Sequence, residues 1–273
     1  MPDFSTSLTL LTSPAILFFF IGAAAAFARS DLAIPEPVAK ALSLYLMLCI
    51  GFKGGVEARA AGFDGDFLAA GVIGVALSAL MPLIAFVILK RMSRLDRPTL
   101  CALAATYGSV SVVTFAAGQQ HLEAVGLTSG GYMAAVLALM ETPAILTALI
   151  LLNGAGRGYR VTGAAHAAAA RRLMEGGRKL TPGVIGFALG FPLLSAGVAL
   201  GLARLAGLEA GDAALLTILA GSASYIAVPA AMRLAAPKAD AGVFVTASLA
   251  ITFPFNLTVG IALYTAVAGW LWA

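Results

Sequence analysis

Apolar runs of about 20 residues, separated by short polar stretches, make up most of the chain. At about 1.5 Å per residue such a run reaches ~30 Å, the thickness of a bilayer's hydrocarbon core, so each predicts a membrane-crossing helix. Eight spans are expected, near 8–28, 36–52, 67–89, 99–119, 130–152, 181–206, 212–232 and 243–271. The first has the length of a signal peptide but no basic residue before it and Arg29 after it, which suits a retained span. The last is long enough to tilt, or to end at interfacial Trp270 and Trp272.

Two of the runs are interrupted by small and polar residues. Ala104 to Ala117 reads AATYGSVSVVTFAA, and Leu215 to Arg233 reads LLTILAGSASYIAVPAAMR. Both contain Gly-Ser-x-Ser, at Gly108-Ser109-Val110-Ser111 and at Gly221-Ser222-Ala223-Ser224. The next span carries Glu141-Thr142-Pro143 in the first case and Thr252-Phe253-Pro254 in the second. Each unit therefore holds three spans, an odd number, so the second unit enters the membrane from the opposite face. The pattern predicts inverted repeats with a broken helix in each, the arrangement of many secondary transporters. The plainer reading is a pair of small-residue packing faces. The expected organisation is a two-span scaffold over 1–64, a first core repeat over 65–152, a basic loop over 153–180, and a second, inverted core repeat over 181–273.

Composition strengthens the membrane reading. The chain of 273 residues is 60% hydrophobic and 11% charged, with a mean hydropathy of +0.96. These values exclude an ordinary soluble domain and predict an all-α polytopic membrane protein. Lys and Arg test the span count: with eight spans, 14 fall on one side and three on the other. The rich side includes Lys90, Arg91, Arg94, Arg97, Arg171, Arg172, Arg233 and Lys238; the poor side has Lys53, Arg59 and Arg204. The basic side is therefore expected to be cytoplasmic, in a bacterial-type inner membrane, with both termini outside. The formal charge of +4 sits in loops and does not point to nucleic acid. Residues 164–174 suit a short interfacial helix, with a regulator's docking site as the alternative.

Cys49 and Cys101 lie in separate apolar contexts and read as buried thiols, not a disulfide. His121 and His166 are isolated, so no metal centre or other cofactor is expected beyond a sodium site. No phosphate loop or nucleophile elbow occurs, and no covalent chemistry is expected.

At each Gly-Ser-x-Ser the helix should unwind, which lipid tolerates only inside protein or beside a wet cavity. The restarting half-helices offer free N–H groups to a small anion, and the ending halves offer carbonyls to a cation. Gly108, Ser109, Ser111, Gly221, Ser222 and Ser224 are the expected anion-binding residues. Glu141 lies about eleven residues from either end of its span and is the expected ion ligand or proton carrier, against a packing role. Asn256 stands near the equivalent place, as site wall or interhelical glue. Thr114 and Thr142 add oxygen ligands unless they bond their own backbone. Tyr107 and Tyr225 flank the breaks, as pocket lining or packing, and Pro143 and Pro254 predict kinks.

At these residues the chain resembles the SbtA-type sodium-dependent bicarbonate permeases. The resemblance begins at Ser13-Pro14, continues through Ile34-Pro35-Glu36 and Gly54-Gly55, and is strongest from Ala104 to Leu152 and from Gly221 to Tyr264. It implies ten helices in two inverted repeats, a gate of four and a moving core of six, with bicarbonate and Na+ held where the broken helices cross. Gly108, Ser111 and Thr114 match the first broken helix; Ser222, Ser224, Pro229 and Arg233 match the second; Pro143 also matches. Glu141 stands for an Asp, Val112 and Val113 for small residues, Tyr225 for an acid and Ala227 for a Ser. Residues 153–181 replace the family's sixth and seventh helices. The resemblance thus implies a sodium-coupled bicarbonate symporter with half its gate missing; either a neighbouring subunit supplies the missing wall, as a homo-oligomer, or the protein no longer transports. The alternatives are a proton- or sodium-coupled carrier of another small carboxylate, or a membrane scaffold that binds a PII-like regulatory protein.

Overall fold

The computed structural model describes residues 64–154 and 180–273, together with isolated helical positions between 17 and 60. The expected spans at 8–28 and 36–52, the 153–181 loop with His166, and the helix expected over 164–174 otherwise lie outside the described residues.

The described chain forms α1 (Gly65–Met92), α2 (Arg97–Gly108), α3 (Val112–Ala124) and α4 (Met133–Asn153). After the loop come α5 (Pro182–Leu205), α6 (Ala210–Ala220), α7 (Ala227–Ala235) and a long α8 (Ala241–Trp272). Among the described residues, five helical stretches are long and apolar enough to cross a membrane: α1, the α2–α3 run, α4, α5 and α8. The chain is a multi-pass membrane protein. The span expected at 212–232 is divided. Its halves, α6 and α7, have 11 and 9 residues and reach only about half the hydrocarbon thickness. The halves α2 and α3, of 12 and 13 residues, are similar. Both breaks therefore lie near mid-depth.

Local chemistry sets these boundaries. The Asp64 carboxylate accepts from the Phe67 N–H at 2.9 Å and caps α1, whose far end closes when the Ser93 hydroxyl donates to Leu89 O at 2.8 Å. Thr181 caps α5, and Pro98 and Pro182 start α2 and α5 where no N–H is needed.

The packing is reciprocal. α2 lies against α7 and α3 against α6, so the first half of one broken helix meets the second half of the other. Helices so paired run in opposite directions. The apolar core splits accordingly. One cluster joins the C-terminal half of α1, α2, the N-terminal half of α5, α7 and the start of α8. The other joins α3, the N-terminal half of α4, the C-terminal half of α5, α6 and the end of α8. The two breaks occupy the layer between them.

Each prolyl kink takes its own form. In α4 the Ser78 hydroxyl of α1 inserts between Met140 O, to which it donates, and the Ala144 N–H, from which it accepts at 3.1 Å. A side chain in the ladder bends a helix. In α8 the backbone widens to π-helix over Thr246–Thr252 and Asn256–Gly260, on either side of Pro254. Cys101 is buried, but Cys49, expected to be buried, is exposed. In a membrane protein both the core face and the outward face are apolar, so apolar sequence context does not separate them.

Candidate functional site where two broken helices cross

The first break opens after Gly108. A Cβ on Gly108 would fall 2.2 Å from the Pro82 ring, so only glycine lets α2 end this close to α1. Gly221 plays the same part in the second repeat, where a Cβ would fall 2.9 Å from the Tyr264 ring. The glycine of each Gly-Ser-x-Ser thus seats a break against a ring from its own repeat.

The serines then lace the breaks together. The Ser111 N–H donates to the Ser222 hydroxyl at 3.0 Å, and that hydroxyl donates to Leu219 O at 2.7 Å. In return the Ser224 N–H donates to Thr106 O at 2.8 Å. Each second serine also caps the helix that follows: Ser111 Oγ accepts from the Thr114 N–H at 3.2 Å, and Ser224 Oγ from the Val228 N–H at 3.3 Å. Ser109 reaches outward, its hydroxyl donating to Glu141 O on α4 over a long 3.5 Å. All four serines are buried.

What these bonds leave open defines the chemistry. Among the described residues, the N–H groups of Val112 and Val113 at the start of α3 carry no hydrogen bond, nor do those of Ile226 and Ala227 at the start of α7. The carbonyls of Tyr107 and Gly108 at the end of α2 are likewise open. No residue of either break is charged. Two positive helix ends and a set of neutral oxygens therefore face the crossing, which suits a small anion and, beside it, a hard cation.

The other predicted residues surround this centre. Thr114 is buried and its hydroxyl makes no hydrogen bond among the described residues, so it is not spent on its own backbone. Glu141 shows the crossing its main-chain carbonyl; its carboxyl group is part-exposed and has no hydrogen-bond partner among the described residues. Thr142 is exposed. Asn256 lies at the second break: its amide donates to Gly221 O at 2.9 Å and accepts from the Tyr264 hydroxyl at 3.2 Å. The amide N–H of Asn256 thus ties α8 to the end of α6, while its oxygen is held by Tyr264 within α8.

The two tyrosines differ. Tyr107 is buried edge-on against Phe187 and Phe191. The Thr252 hydroxyl donates to Ala188 O at 2.7 Å, so at 2.7 Å Tyr107 must be the donor to Thr252. This chain ties α2 to α8 and α5. Tyr225 is half-buried, edge-on to Phe253 at 5.1 Å, with its hydroxyl beside that of Ser111.

Sequence reasoning missed Asp212, a buried carboxylate in the first turn of α6. It accepts from the Gly130 N–H at 2.6 Å and from the Tyr132 hydroxyl, latching the loop before α4 to the start of α6. An acid in a helix's first turn was the available signal. Ser78 carried none, because its role depends on Pro143, far away in sequence.

The family model of the Na+-dependent bicarbonate transporter superfamily matches residues 14–170 and 164–269. The two matched segments meet in the loop between the core repeats. No curated protein matches the chain.

Proposed function

The chain belongs to the Na+-dependent bicarbonate transporter superfamily, and from that membership we propose that it is a secondary carrier importing a small anion, bicarbonate, together with sodium. The observation that supports this reading best is the reciprocal lacing of the breaks. Ser111 N–H to Ser222 and Ser224 N–H to Thr106 O hold two helix N-termini at one place while leaving their first N–H groups open. An anion there receives hydrogen bonds and dipole stabilisation without a fixed charge. A carrier benefits from that neutrality, since a fixed cation would hold the anion too tightly to release it. Sodium fits the open carbonyls of Tyr107 and Gly108 and the spare hydroxyl of Thr114. Bound side by side, the two ions lower the cost of moving charge through hydrocarbon.

Calorimetry on the purified full chain tests the pairing. Sodium should raise bicarbonate affinity, and bicarbonate should raise sodium affinity by the same factor, because coupling between binding sites is reciprocal. Bicarbonate binding that ignores sodium contradicts the symport reading. A proton-coupled carrier of a small carboxylate is the second reading. It is favoured by the unpartnered Glu141 carboxyl group in the middle of α4. Glu141→Gln would then abolish uptake driven by a pH gradient.

A further inference from the structure

Tyr225 is the single aromatic residue in the second break, the first break has none, and its hydroxyl takes no part in the bonds that lace the breaks together. Three observations locate that hydroxyl. Its ring stands edge-on to Phe253 of α8, with centroids 5.1 Å apart and planes at 61°. The side chain is half-buried, while Ser111, Ser222 and Ser224 are buried. Its oxygen lies beside Ser111, the residue that starts α3 and precedes the open N–H groups of Val112 and Val113. A side chain carried by one break therefore reaches the helix N-terminus made by the other.

The Ser111 oxygen already accepts from the Thr114 N–H, and its own proton has no other acceptor among the described residues. Donated to Tyr225, that proton orders a short chain: Thr114 N–H to Ser111, Ser111 O–H to Tyr225, and the Tyr225 O–H left to point onward. We propose that Tyr225 is a substrate-binding and specificity-determining residue, whose O–H donates to the anion held by the α3 N-terminus and whose ring limits that anion to a small planar oxyanion. This inference rests on the carrier reading above and assigns the substrate class to the same site. An anion with one oxygen on the α3 N–H groups and another on the Tyr225 hydroxyl needs two acceptors on one small centre. Bicarbonate and formate meet that requirement. Carboxylates with longer chains would meet the ring.

The test is uptake kinetics in proteoliposomes holding the full chain, with wild type, Tyr225→Phe, Tyr225→Ala and Tyr225→Phe/Ser111→Ala. Phe keeps the ring on Phe253 and loses only the hydroxyl. Tyr225→Phe should raise the bicarbonate KM about tenfold or more, as loss of a hydrogen bond to a charged group does, with little change in the maximal rate. Tyr225→Ala should in addition let propionate compete with bicarbonate. The double variant should be little worse than Ser111→Ala, because the two hydroxyls act as one chain. A purely packing role would lower the melting temperature of Tyr225→Ala while Tyr225→Phe kept the wild-type KM, and that result overturns the inference alone. A wild type that neither binds nor takes up any anion of the panel overturns the carrier reading and this inference with it.

Discussion

The main-chain N–H of Ser111 donates to the side chain of Ser222, 3.0 Å away in the other repeat. The same hydroxyl passes its proton to Leu219 O at 2.7 Å and so also closes the end of its own helix α6. One buried oxygen thus joins the two discontinuous helices and satisfies backbone groups that lipid could not.

Removing that oxygen should be costly. Ser222→Ala leaves the buried Ser111 N–H without a partner and is expected to destabilise the protein by about 1–3 kcal/mol. Ser109→Ala loses only the 3.5 Å contact to Glu141 O and should cost less than about 1 kcal/mol. Unfolding of both variants in one detergent measures the difference. Equal losses would mean that Ser222 is not the joint.

The close approach at the first break predicts a size limit. Gly108→Ala places a methyl group 2.2 Å from the Pro82 ring and should cost about 1–3 kcal/mol or more through overpacking. Pro82→Ala in the same chain should recover much of the loss, as seen in folded yield and thermal stability. If the second substitution rescues nothing, the ring is not what excludes the side chain.

The Tyr107–Thr252–Ala188 chain predicts non-additivity. Thr252→Val strands the buried Tyr107 hydroxyl and should cost about 1–3 kcal/mol. Adding Tyr107→Phe removes the stranded group, so the double variant should be no less stable than Thr252→Val. Costs that simply add would show the two residues to be uncoupled.

Asp212 predicts a local effect. Asp212→Ala deprives the Gly130 N–H and the Tyr132 hydroxyl of their shared acceptor. Amide exchange at Gly130 and its neighbours before α4 should quicken by about tenfold or more, while Ser111 and Ser224 keep their protection. Uniform acceleration across the chain would mean a general loss of stability in place of an opened latch.

The breaks could be read from the sequence because Gly108-Ser109 and Gly221-Ser222 are anomalies inside apolar runs, and the same anomaly occurs twice. Glu141 and Asn256 stand out for the same reason, as polar residues within long apolar stretches. What escaped were relations between distant residues. Ser78 sits in a small-residue stretch like many others, and only its insertion into the Met140–Ala144 turn gives it meaning. Pro254 announced a bend but not its form, since a prolyl bend can be taken up by an inserted side chain, as in α4, or by a widened backbone, as in α8. Tyr107 and Tyr225 looked equivalent beside their breaks. Their neighbours separate them, Phe187 and Phe191 enclosing one while the other borders the crossing.

The measurement closest to the central claim is uptake of labelled bicarbonate into proteoliposomes, with and without an inward sodium gradient, for the wild type and for Ser111→Ala/Ser224→Ala. The double variant removes both hydroxyl caps and leaves the main-chain bonds from Ser111 and Ser224 in place. Sodium-dependent uptake by the wild type, lost in a double variant that still folds, is the predicted result. A folded wild type that takes up no bicarbonate, or a double variant that transports as well as the wild type, would contradict it.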